Sequence, residues 1–230
     1  RIAICDINPQ NMDNAVKKFQ DAGYEFITKI VDVSNYKEIH EFADDICAHF
    51  GKIDIWVNNA GIGLISFILD MDPADWRRIM QINLDSMCWG IQAAGKHMRK
   101  GGGGVILNTS SYSAKISSSR RAAYAITKAG INILTVAAAG ELAPYNIRVN
   151  AIAPGTIEAA GLFDLPPDEK EKFVSRIALQ RSCSPEELAR TYLFLGSDAA
   201  SYITGAIVAV DGGKLCIQDL DVAWGAAEKP

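Results

Sequence analysis

The sequence predicts a single α/β domain built on a parallel sheet covered on both faces. Three observations lead there. Short apolar runs alternate with longer amphipathic stretches along most of the 230 residues. The runs are strand-length, bounded by turn residues and apolar on both sides, as strands buried on both faces require. No repeat or linker divides the chain, and its length suits one large domain.

The elements follow in order. Residues 2–6 read as a strand and 10–22 as a helix stopped at Gly23. Residues 26–33 return to strand, and Ser34 stands where it can cap a helix running to Gly51. Residues 53–59 and 104–110 are strands. Residues 122–143 form a long helix stopped by Pro144, and strand 147–153 is stopped by Pro154. Helix 186–197 is capped by Ser184 with Pro185 in its first turn, and 206–213 is the last strand. Residues 155–182, with Gly155, Gly161 and Pro166-Pro167, read as a long lid-like loop with a short helix. Residues 214–230 read as a loosely held tail.

Composition excludes several functions. The net charge of −4 and pI of about 5.4 argue against nucleic acid as a partner. No uninterrupted apolar run reaches the roughly 18 residues of a membrane span, so no membrane association is expected. The start of the chain does not read as a signal peptide. Cysteines 5, 47, 88, 183 and 216 form no CxxC, and histidines 40, 49 and 97 form no HExxH. Reduced, buried thiols in a cytoplasmic protein and no metal site are the expectation.

Several strand ends carry ligand-binding chemistry. In an open parallel sheet, ligands sit at the carboxyl ends of the strands. Asp6 ends the first strand, where a carboxylate can accept from adenosine ribose hydroxyls and repel a 2′-phosphate, favouring NAD over NADP. A turn cap ahead of Asn8-Pro9 explains Asp6 equally well. Asp32 and Val33 end the next strand, where the carboxylate can meet an adenine amino group or cap the turn at Ser34. Asn59, Ala60 and Gly61 follow the third strand, and the small residues allow close approach to a flat ligand. The glycine strings at 61–63 and 101–104 stand in the wrong places for a phosphate loop, and no G-x-x-x-G-x-G occurs.

Tyr124 and Lys128 lie four apart on one face of a predicted helix. A phenol, with a reference pKa near 10, is a poor base at neutral pH, and an ammonium one turn away stabilises phenolate. Ser110 and Ser111 end a strand, where a hydroxyl can bond a substrate oxygen or simply begin a polar loop.

Taken together, "ICDIN", "DVS", "NNAG", "QINLDS", "ILNTSS", "YAITK", "IRVNAIAPG", "SPEELA" and "SYITGAIVAVDGG" resemble the short-chain dehydrogenase/reductase family, in family order over nearly the whole chain. The resemblance implies a Rossmann-like doubly wound sheet. It also implies hydride transfer between NAD(H) and a secondary alcohol or ketone. Tyr124 is then the general acid/base, Lys128 its partner and Ser111 the serine that steadies the substrate oxygen. Asn83 holds a water next to the lysine. Asp6, Asp32, Val33, Asn59, Ala60, Gly61, Tyr124, Lys128, Pro154, Gly155 and Ile157 contact the cofactor. A homotetramer or homodimer built on helices 74–100 and 122–143 is implied too.

Two departures from the family stand out. Ala159 replaces a threonine that bonds the cofactor. The family's first strand, glycine-rich turn and first helix, about thirty residues, do not precede "ICDIN"; the chain starts at Arg1 and its first methionine is Met12. The family's first strand is central, so without it two neighbouring strands are expected to lose their hydrogen-bond ladders. Three readings therefore stay open: an NAD-dependent alcohol dehydrogenase lacking its true N-terminus, an NADP-dependent 3-oxoacyl-thioester reductase with a basic patch at Arg120-Arg121, and a non-catalytic oligomerisation partner. The substrate wall is expected in residues 63–71 and 159–173, including Leu162, Phe163 and Leu165.

Overall fold

The computed structural model describes residues 1–158, 171, 173–216, 220, 224 and 225. In chain order the elements are β1 (Ile2–Asp6), α1 (Pro9–Asp21), β2 (Phe26–Ile30), α2 (Tyr36–Phe50), β3 (Ile55–Asn58), α3 (Pro73–Met80), α4 (Ser86–Gly101), β4 (Gly104–Thr109), α5 (Ala122–Leu142), β5 (Ile147–Pro154), α6 (Pro185–Gly196) and β6 (Ile207–Val210). All strand pairs are parallel, as the alternation predicts.

The strands fall into two groups, β1-β2 and β3-β4-β5-β6. Among the described residues, β1 pairs only with β2 and β3 only with β4, so the ladder breaks between β1 and β3. This is the break expected where the family's central strand stands. Residues on β3 next to it are open: Ile55 is 49% and Val57 46% exposed. Packing holds the two groups together instead. Ala3 and Cys5 of β1 pack on a core of Phe42, Ile46, Ile53, Ile91, Ile106 and Val149, and the Phe42 ring lies 6.1 Å from that of Trp56. The opposite face of β4 and β5 carries Val105, Leu107 and Ile152 against Leu195 of α6. Alternate residues of β4 thus serve opposite faces, which is the period of a strand.

Several boundaries move. Ser34 is not the cap of α2; Asn35 accepts from Lys37 N, while Ser34 N and Oγ both donate to Asp32 Oδ1 (2.9 and 2.7 Å). The second strand stops at Ile30, because beyond the bond from Val31 N to Asp6 O the chain turns. Pro154 closes β5 as its last residue; a strand-end proline needs no ladder donor. Ser184 does cap α6, in a full capping box with Glu187.

One helical stretch, Ala122–Tyr145, has the length and mean hydropathy (1.3) of a membrane span, contrary to the reading from uninterrupted runs. It packs on β4 and β5 and buries Thr127, Lys128 and Thr135, which is the behaviour of a core helix. The cysteines are all free, but none is fully buried and Cys216 is exposed, so the expectation of buried thiols fails. Lys214 to Cys216 are not a loose tail: they form a hydrogen-bonded turn, with Lys214 N on Asp211 O and Cys216 N on Gly213 O. Ala159, Leu162, Phe163 and Leu165 lie outside the described residues.

Candidate active site

The site forms at the carboxyl ends of β3, β4 and β5, beside the first turns of α5. Four residues apart on that helix, Tyr124 and Lys128 do share a face: the Lys128 Nζ lies 5.6 Å from the Tyr124 ring centroid. Lys128 is only 3% exposed, and its ammonium donates to Thr109 O at 2.8 Å. Burial pushes its pKa down to about 8.

The two serines separate cleanly. Ser110 Oγ turns into the core and donates to Asn132 Oδ1 (2.6 Å) and Lys128 O (3.2 Å). Ser111 Oγ accepts from Ser113 N at 3.1 Å and stands close enough to the Tyr124 phenol to lower its pKa. The phenol itself titrates differently from the sequence expectation. Burial raises its pKa, while the Ser111 hydroxyl and the Arg121 guanidinium act in the opposite direction.

Asn83 sits in a π-helical turn, Gln81–Asp85, between α3 and α4. Such turns aim one side chain out of register and are frequent at functional sites. Both ends of the fully buried Asn83 amide grip the backbone of Ile62: Oδ1 accepts from its N–H (2.8 Å) and Nδ2 donates to its carbonyl (2.9 Å). Asn83 thereby fixes the loop that carries Asn59, Ala60 and Gly61, all three exposed. A side chain at Gly61 would stand 3.3 Å from Asn83 Oδ1 and 3.8 Å from Lys128 Nζ. Glycine there leaves a cradle walled by an amide and an ammonium, which suits the sugar of a dinucleotide.

The remaining cofactor candidates are spread over the strand ends. Asp6 does cap its turn, accepting from Asn8 N (2.8 Å) and Asn11 Nδ2 (3.2 Å), yet a carboxylate has about four acceptor positions and two stay available. Asp32 spends Oδ1 on Ser34, and Val33 packs partly into the core. Pro154 is buried; Gly155 N donates to Val210 O, and a Cβ on Gly155 would lie 2.6 Å from the Asp211 Cα, so only glycine fits. Ile157 bridges to Cys183. These positions line the strand ends that a nicotinamide dinucleotide would span, and when bound that group supplies the hydride acceptor or donor.

Sequence reading missed several participants. Thr109 presents its carbonyl to Lys128 while its hydroxyl donates to Asn59 Oδ1 (3.0 Å) and bonds the Tyr192 hydroxyl (2.6 Å). Beneath it, Asn58 Nδ2 donates to Asn108 Oδ1 (2.8 Å), and Asn108 Nδ2 to Thr135 Oγ1 (3.0 Å). Asn58 and Asn108 are register partners on β3 and β4. The only signal in the sequence was an asparagine in each of two strand ends.

A parallel α/β sheet carrying a tyrosine, a lysine and a serine at its carboxyl ends defines a dinucleotide-dependent oxidoreductase. The family model described as enoyl-(acyl carrier protein) reductase matches residues 1–214. A 3-oxoacyl-[acyl-carrier-protein] reductase of Thermotoga maritima is 36% identical over 208 residues, 90% of this chain and 85% of that protein. A solved 7α-hydroxysteroid dehydrogenase complexed with NADH and 7-oxo glycochenodeoxycholic acid superposes with a TM-score of 0.87 at 35% identity, covering 92% of this chain and 83% of that one. A gluconate 5-dehydrogenase from Burkholderia cenocepacia in complex with NADP and tartrate gives a TM-score of 0.87 at 30% identity, over 94% and 86% of the two chains. The chain belongs to the short-chain dehydrogenase/reductase family, and the protein is an NAD(P)-dependent oxidoreductase.

Proposed function

We propose that the protein catalyses reversible hydride transfer between NAD(H) and a secondary alcohol or its ketone. The observation that carries this reading is Tyr124 one helical turn from the buried Lys128, with its ring 5.6 Å from that ammonium and Ser111 beside the phenol. Tyr124 takes the hydroxyl proton in oxidation and returns it in reduction, and Ser111 holds the substrate oxygen. Lys128 holds the ribose, and Asn83 keeps the 59–62 loop in place for it. Asp6 favours NAD, because a carboxylate at the end of β1 repels a 2′-phosphate.

The NADP-dependent 3-oxoacyl-thioester reductase is the second reading. The Thermotoga relative supports it, as do the adjacent Arg120 and Arg121. We further infer a homotetramer or homodimer, since Ile126, Ile133 and Val136 leave an apolar stripe exposed on α5, and a cytoplasmic location.

Fluorescence titration of the full chain with NADH and NADPH tests the assignment. Saturable binding with NADH at least tenfold tighter supports the dehydrogenase. Tighter NADPH binding favours the thioester reductase, and no saturable binding of either would leave only a non-catalytic partner.

A further inference from the structure

Lys214 is a cation held one aromatic ring away from the catalytic hydroxyls. It sits in the turn after β6, where Gly212 and Gly213 both have positive φ (63° and 80°). A Cβ at Gly212 would lie 2.7 Å from Ile177 Cγ2, and one at Gly213 2.7 Å from Ala178 Cβ. The chain therefore folds back tightly, with Asp211 Oδ1 accepting from Gly213 N at 3.0 Å. The Lys214 side chain reaches the loop after β5, and Nζ donates to Thr156 Oγ1 at 3.1 Å. The ammonium lies 4.6 Å from the Tyr112 ring centroid and 6.0 Å from that of Phe173. Tyr112 directly follows Ser111, and its phenol is near enough to act on Tyr124.

An ammonium has three donors, and one is spent on Thr156. The neighbouring acids are committed elsewhere. Asp211 is turned into its own loop, Glu158 Oε1 accepts from Ser182 Oγ at 3.1 Å, and Glu187 holds Arg181 through both oxygens at 2.8 and 2.7 Å. Among the described residues no carboxylate pairs with Lys214. A second cation borders the same hydroxyls: Arg121 acts on Tyr124, and its Nη1 lies 3.2 Å from where a Gly63 side chain would begin. A neutral substrate covering this region would strip water from a half-buried ammonium and return nothing, which is costly. A substrate carrying an anion would pair with that ammonium.

We propose that Lys214 is the counter-ion of the substrate: the alcohol or ketone turned over at Tyr124 bears a carboxylate, and the Lys214 ammonium binds it. This rests on the reading of Tyr124 as the acid/base and names the substrate class that reading leaves open. Lys214 is a specificity residue and takes no part in the proton or hydride steps.

The test compares matched neutral and anionic ketones with NADH. Acetoacetate, levulinate and oxocyclohexanecarboxylate are each assayed beside their methyl esters. The expected result is a kcat/KM at least tenfold higher for the acid than for its ester, carried mainly in KM. In Lys214→Met that ratio falls by about ten- to a hundredfold, the weight of a hydrogen bond to a charged group, while Lys214→Arg largely keeps it. An ester as good as its acid in the native protein overturns the proposal. So does a ratio untouched in Lys214→Met, which would leave the lysine a mere anchor for Thr156. If no ketone of the set is reduced, the proposed dehydrogenase activity on such compounds fails, and the counter-ion role is decided by binding instead. Saturation-transfer NMR with NADH present then supports Lys214 if the acids bind and Lys214→Met abolishes it, and overturns it if acids and esters bind alike or neither binds.

Discussion

The strands β3–β6 and the pair β1-β2 lie in one layered fold, but different forces hold them. In β4 and β5, Ile106 and Val149 on one face and Leu107 and Ile152 on the other are fully buried. Side chains also cross between strands there, from Asn58 to Asn108 and on to Thr135 of α5. In β1 every residue is only half-buried, and its link to the rest runs through apolar packing of Ala3 and Cys5 on the shared core and an exposed bond from Arg1 Nη1 to Phe50 O (3.3 Å). The proposed catalytic side chains all sit on the first region; Asp6 and Asp32, the nucleotide candidates, sit at the second. Proton transfer needs angstrom placement, which cross-strand hydrogen bonds to buried groups enforce. Ribose recognition at an exposed strand end tolerates a looser frame.

The largest expected effect separates chemistry from folding. Tyr124→Phe should lower kcat by about a hundred- to ten-thousandfold, the usual worth of a positioned acid/base. The melting temperature and NADH affinity should hardly change, since the ring keeps its packing. Turnover near the native level would remove Tyr124 from the mechanism.

Next comes the packing contrast between the regions. Ile106→Ala should cost about 2–5 kcal/mol by urea denaturation, whereas Ile4→Ala on β1 should cost about 1 kcal/mol. Equal losses would mean that β1 is as firmly held as β4.

The buried ammonium gives a pH signature of up to roughly 3 kcal/mol, because each tenfold change in proton affinity is worth about 1.4 kcal/mol. Its folded pKa of about 8 lies below the ordinary lysine value of 10.5. Between those values the unfolded chain holds more protons than the folded one, so this group's contribution to stability rises with pH from about 8 to 10.5. Burial of Cys5 moves its thiol up to about 11 and acts oppositely. The measurement is therefore the stability of the native protein minus that of Lys128→Met, followed from pH 7 to 10.5. A flat difference would place the ammonium in solvent.

The smallest effect probes the joint between the regions. Thr109→Val removes the bonds to Asn59 and Tyr192, and it should cost about 1–2 kcal/mol by thermal denaturation. It should also raise the KM for NADH a few-fold as the Asn59–Gly61 loop loosens. An unchanged KM would detach that loop from cofactor binding.

Much of this was legible because it is local. An i, i+4 pair on a helix, a serine at a strand end and a capping box at Ser184 depend on neighbours a few residues apart, and each stands where the spacing puts it. Ser111 over Ser110 was also legible, through its distance from Tyr124, and the strand's alternation explains it: successive residues point to opposite sides. Asn83 was legible as an oddity inside a helix, but the π turn that gives it a partner in Ile62, 21 residues away, was not.

The sequence by itself determined the order of strands and helices, the parallel sheet, and which tyrosine, lysine and serine are the candidates for the chemistry. Backbone periodicity and short-range geometry are written in consecutive residues. Only the tertiary structure decided the Asn58–Asn108 pairing, the Tyr192–Thr109 bond and the meeting of Lys214 with Tyr112. It also decided that the Tyr124 phenol is buried enough for its pKa to rise. Those facts depend on register and desolvation, which arise when distant segments share one interior.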